Sequence, residues 1–438
     1  MKKIAILVFF TVGFFVHVWA CTGLIAGKQA TVDGSVLVTY SADSHTLYGA
    51  LTSSPAADWP KGSMRSIVEW DTNKPLGEIE QVEHTYAVIG NMNEHQLTVV
   101  ESTWGGRPEL VDTTGIIDYG SLMQLALERA KTAREAIKVM TGLVKKYGYY
   151  SSGESFTIAD PNEAWILDLI GKGPGRRGAV WVAVRIPDDC IAGHANYPRI
   201  HKIPMDDKEN CLYSPDVISF AREMGYFDGL NKDFSFARAY SPADFGALRA
   251  CDARVWSFFR KYDSTMDNYL PYVNGESAEP FPLYVKPSRK LSVQDMKEAM
   301  RDHFEDTPFD MTQDVGAGPF KVPYRFRPMS FEVDGKSYCM ERAIATQQTG
   351  FTLVGQMRNW LPDPVGGVLW FGVDDANTCV YIPMYCGITQ VPECFSPENG
   401  SMYDFSWTSA FWIHNWVANM AYARYEPMIG DIRKVQSA

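Results

Sequence analysis

The join Val18-Trp19-Ala20-Cys21, where an apolar leader runs straight into a strand-forming segment, constrains this chain more than any other feature. Lys2 and Lys3 precede a largely apolar run from Ile4 to Val16, and Val18 and Ala20 take the −3 and −1 positions of a small-residue cleavage site. This is the pattern of a secretory leader over residues 1–20. The run is short of the roughly 20 residues that a spanning helix needs. Cleavage after Ala20 and export to the periplasm or the medium are therefore expected, and no later stretch offers a second span. The chain that folds would begin at Cys21 with no tether ahead of it.

Leu24–Ala26 and Val36–Tyr40 read as strands on either side of Asp33-Gly34, a two-residue turn pattern. With that turn as pivot, Cys21 lies opposite Thr46 and Asp43 opposite Leu24, so Cys21, Asp43 and His45 gather at the open end of one hairpin. A thiol becomes a strong nucleophile when a base takes its proton, and a chain-terminal α-amine serves as that base. The amine titrates at about 7.7–8.0 and the thiol near 8.5, so the two are matched close to neutral pH. Removing the leader would create nucleophile and base in one event. Two other uses of Cys21 compete. Lipid acylation is disfavoured by Trp19 beside the cut and by the immediate entry into a strand, and a half-disulfide is the other. His45 is read as structural.

Charge and cysteine usage narrow the class. The formal charge of −11 becomes −13 once Lys2 and Lys3 leave, and there is no Lys/Arg run. An acidic surface argues against nucleic acid or anionic membrane as partner. Eight cysteines occur, at 21, 190, 211, 251, 339, 379, 386 and 394. Their spacings match no zinc pattern, so all but Cys21 are read as structural, paired or merely buried.

Further strand-like runs fall at Tyr86–Ile89, Leu97–Val100, Phe156–Ala159, Ala164–Ile170, Val180–Ile186 and Val368–Val373. Thr132-Ala-Arg-Glu135 reads as a capping box for a helix that Gly148 stops. More helices are expected near 215–224, 242–262, 292–304 and 408–424. Sheets flanked by helices without regular βαβ alternation predict an α+β layered fold. Gly173-Pro-Gly-Arg-Arg-Gly178 matches a dinucleotide fingerprint but sits between two strands, so it is read as a hairpin loop. Phe405, Trp407, Phe411, Trp412 and Trp416 recur at helical spacing and are read as packed core rather than a sugar platform.

The stretch "CTGLIAGKQATVDGSVLVTYSADSH" from Cys21 to His45 resembles the opening of the dipeptidase A family of N-terminal-nucleophile cysteine peptidases, relatives of penicillin V acylases and bile salt hydrolases. The resemblance continues through "GNMNEHQLTVVEST" (90–103), "ESFTIADPNEAWILDL" (154–169), "WVAVRIPDDCIAGHANYPRI" (181–200) and "MRNWLPDPVGGVLWFGVDDANTCVYIPMYCG" (357–387). It implies a four-layer αββα sandwich with additional helices, one hydrolase domain over 21–438, and cleavage of dipeptides by Cys21. No cofactor or metal is implied. Small peptides are the expected partners, and self-assembly into a homo-oligomer is left open. By position, Asp43 is similar to the aspartate that orients the nucleophile's amine, Asn196 to an oxyanion-hole asparagine, and Arg254 to a site arginine. Tyr40 stands where the acylases place an arginine. Their second oxyanion asparagine falls on Thr103, so Asn91 or Asn93 is considered in its place. An N-acyl amide hydrolase and a glycan-binding surface lipoprotein are the alternative readings.

Overall fold

The computed structural model describes residues 21–325 and 330–437. The leader expected over 1–20 lies outside the described residues. Within them the chain is a mixed α and β structure built on antiparallel sheets. No helix among the described residues is long and apolar enough to cross a membrane.

Strand β1 (Thr22–Ala26) and strand β2 (Val36–Asp43) lie in the middle of a seven-stranded sheet, and every residue of both is buried. Ile191–His194 pairs with the free edge of β1, and Thr349–Met357 with that of β2. An eight-stranded sheet carries Thr98–Trp104, Gly153–Ala159, Ala164–Gly171 and Ala179–Ile186 as successive neighbours. The period-2 alternation of strands sorts their side chains into distinct cores. Ile25, Val36 and Val38 of the first sheet share one core with Val100, Ile166 and Val182 of the second. Leu24, Leu37 and Val354, on the other face of the first sheet, pack against the helix Ala253–Arg260 through Val255, Phe258 and Phe259. Val99, Ile158 and Leu167, on the other face of the second, pack against helices α1 (Tyr119–Arg129) and α2 (Ala133–Tyr147).

The predicted hairpin forms in a different register. Thr22 pairs with Ser41 and Gly23 with Tyr40, so Cys21 falls level with Ala42 and not with Thr46. Residues 27–35 make a wide loop rather than a two-residue turn. The Gly27 N–H bonds to the Cys190 carbonyl and the Gln29 N–H to that of Asp188. The Thr31 hydroxyl donates to the carbonyls of Lys28 and Ser35, and Asp33 accepts from the Ser35 N–H. These links to the segment before Ile191 override the local turn preference of Asp33-Gly34. The shift brings Asp43 within one position of Cys21.

Other expectations fare unevenly. The Val368–Val373 strand falls where it was read, and the Gly173–Gly178 segment does join two neighbouring strands. Thr132 caps α2 by accepting from the Glu135 N–H, but the Glu135 carboxylate reaches the Lys131 N–H instead of closing the box. Of Tyr86–Ile89 only Val88–Ile89 is strand. The helix expected over 242–262 starts as a π-turned stretch, Ala247–Asp252, that leads into Ala253–Arg260. Helix α1 was not foreseen, although Asp118 caps it by accepting from the Ser121 N–H. The aromatic cluster is a correction. Phe411 is buried, but Phe405, Trp407 and Trp416 are 45%, 64% and 52% exposed. The helix Ala410–Ala423 buries Phe411, Ala418 and Ala421, while Phe405 and Trp407 precede it and meet each other edge to face, with Trp407 tilted against Trp416.

Candidate active site

Cys21 is 4% exposed at the start of β1. Its sulfur lies 3.7 Å from the Tyr40 hydroxyl, and that hydroxyl donates to Glu101 Oε1 at 2.5 Å. Burial pushes the thiol pKa well above its ordinary value, and the charges of Glu101 and Asp43 push the same way. A hydrogen bond from the Asp43 backbone N–H and the contact with the Tyr40 hydroxyl oppose this. Glu154 stands beside Glu101. Burial and the Glu101 charge raise its pKa well above the ordinary carboxylate value, and Thr103 Oγ1 donates to one of its oxygens at 3.0 Å.

The carbonyl of Cys21 faces different chemistry. Arg254, 1% exposed, donates to it from Nη1 at 2.9 Å and to Thr22 Oγ1 at 2.8 Å. Through Nη2 the same guanidinium donates to the Ala195 carbonyl and, at 2.8 Å, to Asn196 Oδ1. Burial and nearby Arg342 lower its pKa to about 10, which leaves it charged at neutral pH. Asn196 sits in the left-handed region at φ 56°, a conformation that asparagine tolerates better than most residues. Its Nδ2 donates to the Thr103 carbonyl at 2.5 Å. Side chains from four separate chain segments thus close a ring of contacts around one cysteine.

Asp43, at the end of β2, accepts from Arg342 Nη2 at 2.5 Å, Thr349 Oγ1 at 2.6 Å and Ser41 Oγ at 3.0 Å. With the Arg342 guanidinium against it, the carboxylate is ion-paired and fixed beside Cys21. His45 does not join this group. It is exposed and lines a separate cavity with Tyr324, Asp374 and Asn415, because the corrected register carries it beyond the end of the pairing. His194 lies closer, but both its ring nitrogens are engaged, by Ser102 Oγ at 2.6 Å and Thr157 Oγ1 at 2.8 Å. Burial and Arg254 lower its pKa to about 3, so it is neutral. Its ring fills the space above Gly23, where a Cβ would come within 2.9 Å of it.

The thiol opens into a cavity of about 220 Å³. Asp43, Asp71 and Glu101 line it, with Tyr119 and Met123 from α1 and with Phe351 and Phe371 from the first sheet; no Lys, Arg or His does so among the described residues. Asn196 and Arg254 stand behind Cys21 and do not line it. Of the two asparagines weighed for the oxyanion hole, Asn91 lines the cavity with its Nδ2 donating to the Val99 carbonyl. Asn93 is fully buried and holds the Leu127 and Ala130 carbonyls at the end of α1, a structural task.

Sequence reasoning missed Arg342, Glu101, Glu154, Asp71 and Tyr119. Glu101 did carry a mark, a charge within the apolar run Leu97–Val100 and Trp104. The others carry none that local pattern reveals.

A buried cysteine on a small cavity, with the Asp43 carboxylate and the Arg254 guanidinium beside it, can support attack by a thiol on a carbonyl carbon. The chain belongs to peptidase family C69, whose model matches residues 20–438, and it is accordingly a peptide-bond hydrolase. It is 24% identical over 429 residues to a probable dipeptidase of Latilactobacillus sakei, covering 93% of this chain and 82% of that protein. It is 27% identical over 396 residues to a probable dipeptidase of Salmonella dublin, covering 84% and 81%. With dipeptidase A of Lactobacillus helveticus it shares 24% identity over 429 residues, covering 92% and 82%.

Proposed function

We propose that this chain is an exported dipeptidase that uses Cys21 as an N-terminal nucleophile. The dipeptidase names of its relatives support the substrate class. The observation that carries the mechanism is that the thiol faces an enclosed cavity lined by no imidazole among the described residues. The base is then the α-amine that leader removal would free at Cys21 itself. In this reading the two sheets and the helices on their outer faces are the αββα sandwich of the N-terminal-nucleophile hydrolases, and residues 21–438 form one domain.

The steps follow. The α-amine takes the thiol proton as Sγ attacks the scissile carbonyl carbon. Asp43, ion-paired with Arg342, orients that amine. The oxyanion is assigned to a backbone N–H and to the Asn196 amide, the latter from the resemblance of its position to an oxyanion-hole asparagine. The proton passes from the amine to the leaving nitrogen, the C–N bond breaks, and a thioester remains. Water, deprotonated by the same amine, hydrolyses it. Arg254 fixes the Cys21 carbonyl and the Asn196 amide relative to each other.

The test is a pair of proteins. Two residues fixed ahead of Cys21 remove the amine and should lower kcat by at least about 10²-fold, the usual contribution of a positioned base. His45→Ala should keep wild-type turnover. Intact mass of the wild-type protein should show a start at unmodified Cys21. An extended protein that retains its extra residues and turns over normally overturns the mechanism.

A further inference from the structure

Two carboxylates of the cavity have no cation. Asp43 is paired with Arg342, but neither Asp71 nor Glu101 takes part in an ion pair among the described residues. Glu101 is 2% exposed and borders the cavity, with Oε1 bonded by Tyr40 and Oε2 without a hydrogen-bond partner among the described residues. Asp71 stands at the mouth with its outer edge exposed and accepts from the Tyr119 hydroxyl at 2.8 Å. A buried carboxylate without a cation is costly, and three aromatic rings, Tyr40, Trp70 and Tyr119, border the same space. Carboxylate oxygens in a space bordered by aromatic rings are what an ammonium group binds.

Distance fixes which ammonium. The sulfur is 3.7 Å from Tyr40 Oη, which is 2.5 Å from Glu101 Oε1, so the carboxylate oxygen lies within about 6 Å of the sulfur. In a near-attack pose the carbonyl carbon stands roughly 3–3.5 Å from the nucleophile. Backbone geometry sets the α-nitrogen of the same residue about 2.5 Å from that carbon. An α-amine on the residue being acylated is therefore within reach of Glu101. At about 220 Å³ the cavity is smaller than a typical ligand pocket of roughly 300–1,000 Å³, which suits a single residue, and Met123, Leu127, Phe351 and Phe371 give it an apolar floor.

We infer that Glu101 and Asp71 form an ammonium subsite that binds the free α-amine of the substrate's first residue, so that the enzyme removes single unblocked, preferably apolar, N-terminal residues. This rests on the dipeptidase reading and names the groups that impose it. It also gives the carboxylates a second effect. Burial first, and the Glu101 charge after it, hold the thiol pKa up, and a bound ammonium would offset the Glu101 contribution.

Three compounds test this: L-leucyl-L-alanine, its N-acetyl derivative, and 4-methylpentanoyl-L-alanine, which keeps side chain and scissile amide but has no amine. A site built around a polar group of its substrate rejects the analogue lacking it by roughly 10⁴-fold. Wild-type kcat/KM should therefore favour the free dipeptide over the deamino compound by at least about 10³-fold. In Glu101→Gln that ratio should collapse to about tenfold or less, and in Asp71→Asn it should narrow by about tenfold, chiefly through KM. Because Glu101 is buried, thermal unfolding is measured beside each assay; should Glu101→Gln fail to fold, Asp71→Asn at the exposed mouth decides. A wild-type protein that cuts the free dipeptide, with a ratio that survives in every folded variant, overturns the subsite and leaves the dipeptidase reading standing. A wild-type protein that prefers the N-acetyl or deamino compound overturns both.

Discussion

The sulfur and the carbonyl oxygen of Cys21 belong to one residue and face opposite electrostatic surroundings. On the sulfur side stand Glu101, the neighbouring Glu154 and, at the mouth, Asp71. On the carbonyl side stands the Arg254 guanidinium, while Asp43, which borders the cavity, is paired with Arg342. Both groups are saturated: Arg254 makes five hydrogen bonds, and Asp43 accepts three. The sulfur side is left open. Fixed, fully bonded groups suit the constant part of a reaction, and uncompensated ones suit the part that changes with each substrate. Substitutions behind the cysteine should therefore act on kcat, and those in front on KM and on choice of substrate.

The largest effect tests the rear. Asn196→Ala should lower kcat by about 10²–10³-fold, the usual loss for one oxyanion donor, with KM and thermal unfolding nearly unchanged. Steady-state kinetics showing kcat within threefold of wild type would make Asn196 a loop-holding residue and break the contrast. Arg254→Lys keeps the charge but loses the planar fork. Abandoning several buried carbonyls should reduce unfolding free energy by about 2 kcal/mol and kcat by about tenfold. Denaturant titration beside the assay separates the two losses, and a fully stable lysine variant would show that the fork is dispensable.

A smaller effect belongs to the front. Burial raises the Asp71 pKa to about 6, although the Tyr119 hydrogen bond opposes it. The group is ionised above that pH and neutral below it, so its attraction for a cation weakens as pH falls through 6. KM for a free dipeptide should rise several-fold between pH 7 and 5, and Asp71→Asn should show a flatter KM profile. The smallest effect lies away from both sides. Asp374 is buried with φ 64°, accepts from Asn415 at 2.9 Å, and has its pKa raised by burial to about 7. An unfolded aspartate titrates near 3.9, so between pH 4 and 7 the folded state holds a proton that the unfolded state has lost. Stability from this group thus declines as pH rises across that window and does not return above it. Asp374→Asn, which suits a left-handed backbone, should raise Tm at pH 8 by roughly 1–3 °C with unchanged activity.

What could be read in advance follows from sequence separation. Cys21 and Asp43 belong to one pair of strands, and their proximity was legible even with the register wrong, because both candidate registers leave them at the same end. The register itself was not, since it is set by bonds from residues 27–30 to Asp188 and Cys190. Asn196 and Arg254 came from resemblance alone, and the structure joins them through one guanidinium–amide bond. Arg342 reaches Asp43 across 299 positions of chain, and Asp71 and Tyr119 meet across 48. No local pattern marks such partners, because each is chosen by which strands and helices come to lie side by side. His45, close in sequence and distant in role, errs in the opposite sense.

The packing of His194 over Gly23 bears on how this protein can vary over generations. Any side chain at position 23 would collide with an imidazole that cannot step aside without abandoning Ser102 and Thr157. A change there succeeds only if position 194 shrinks at the same moment and two hydroxyls find new partners. The residue two places after the nucleophile is thereby tied to strands far along the chain, and single-step drift at that point is closed off.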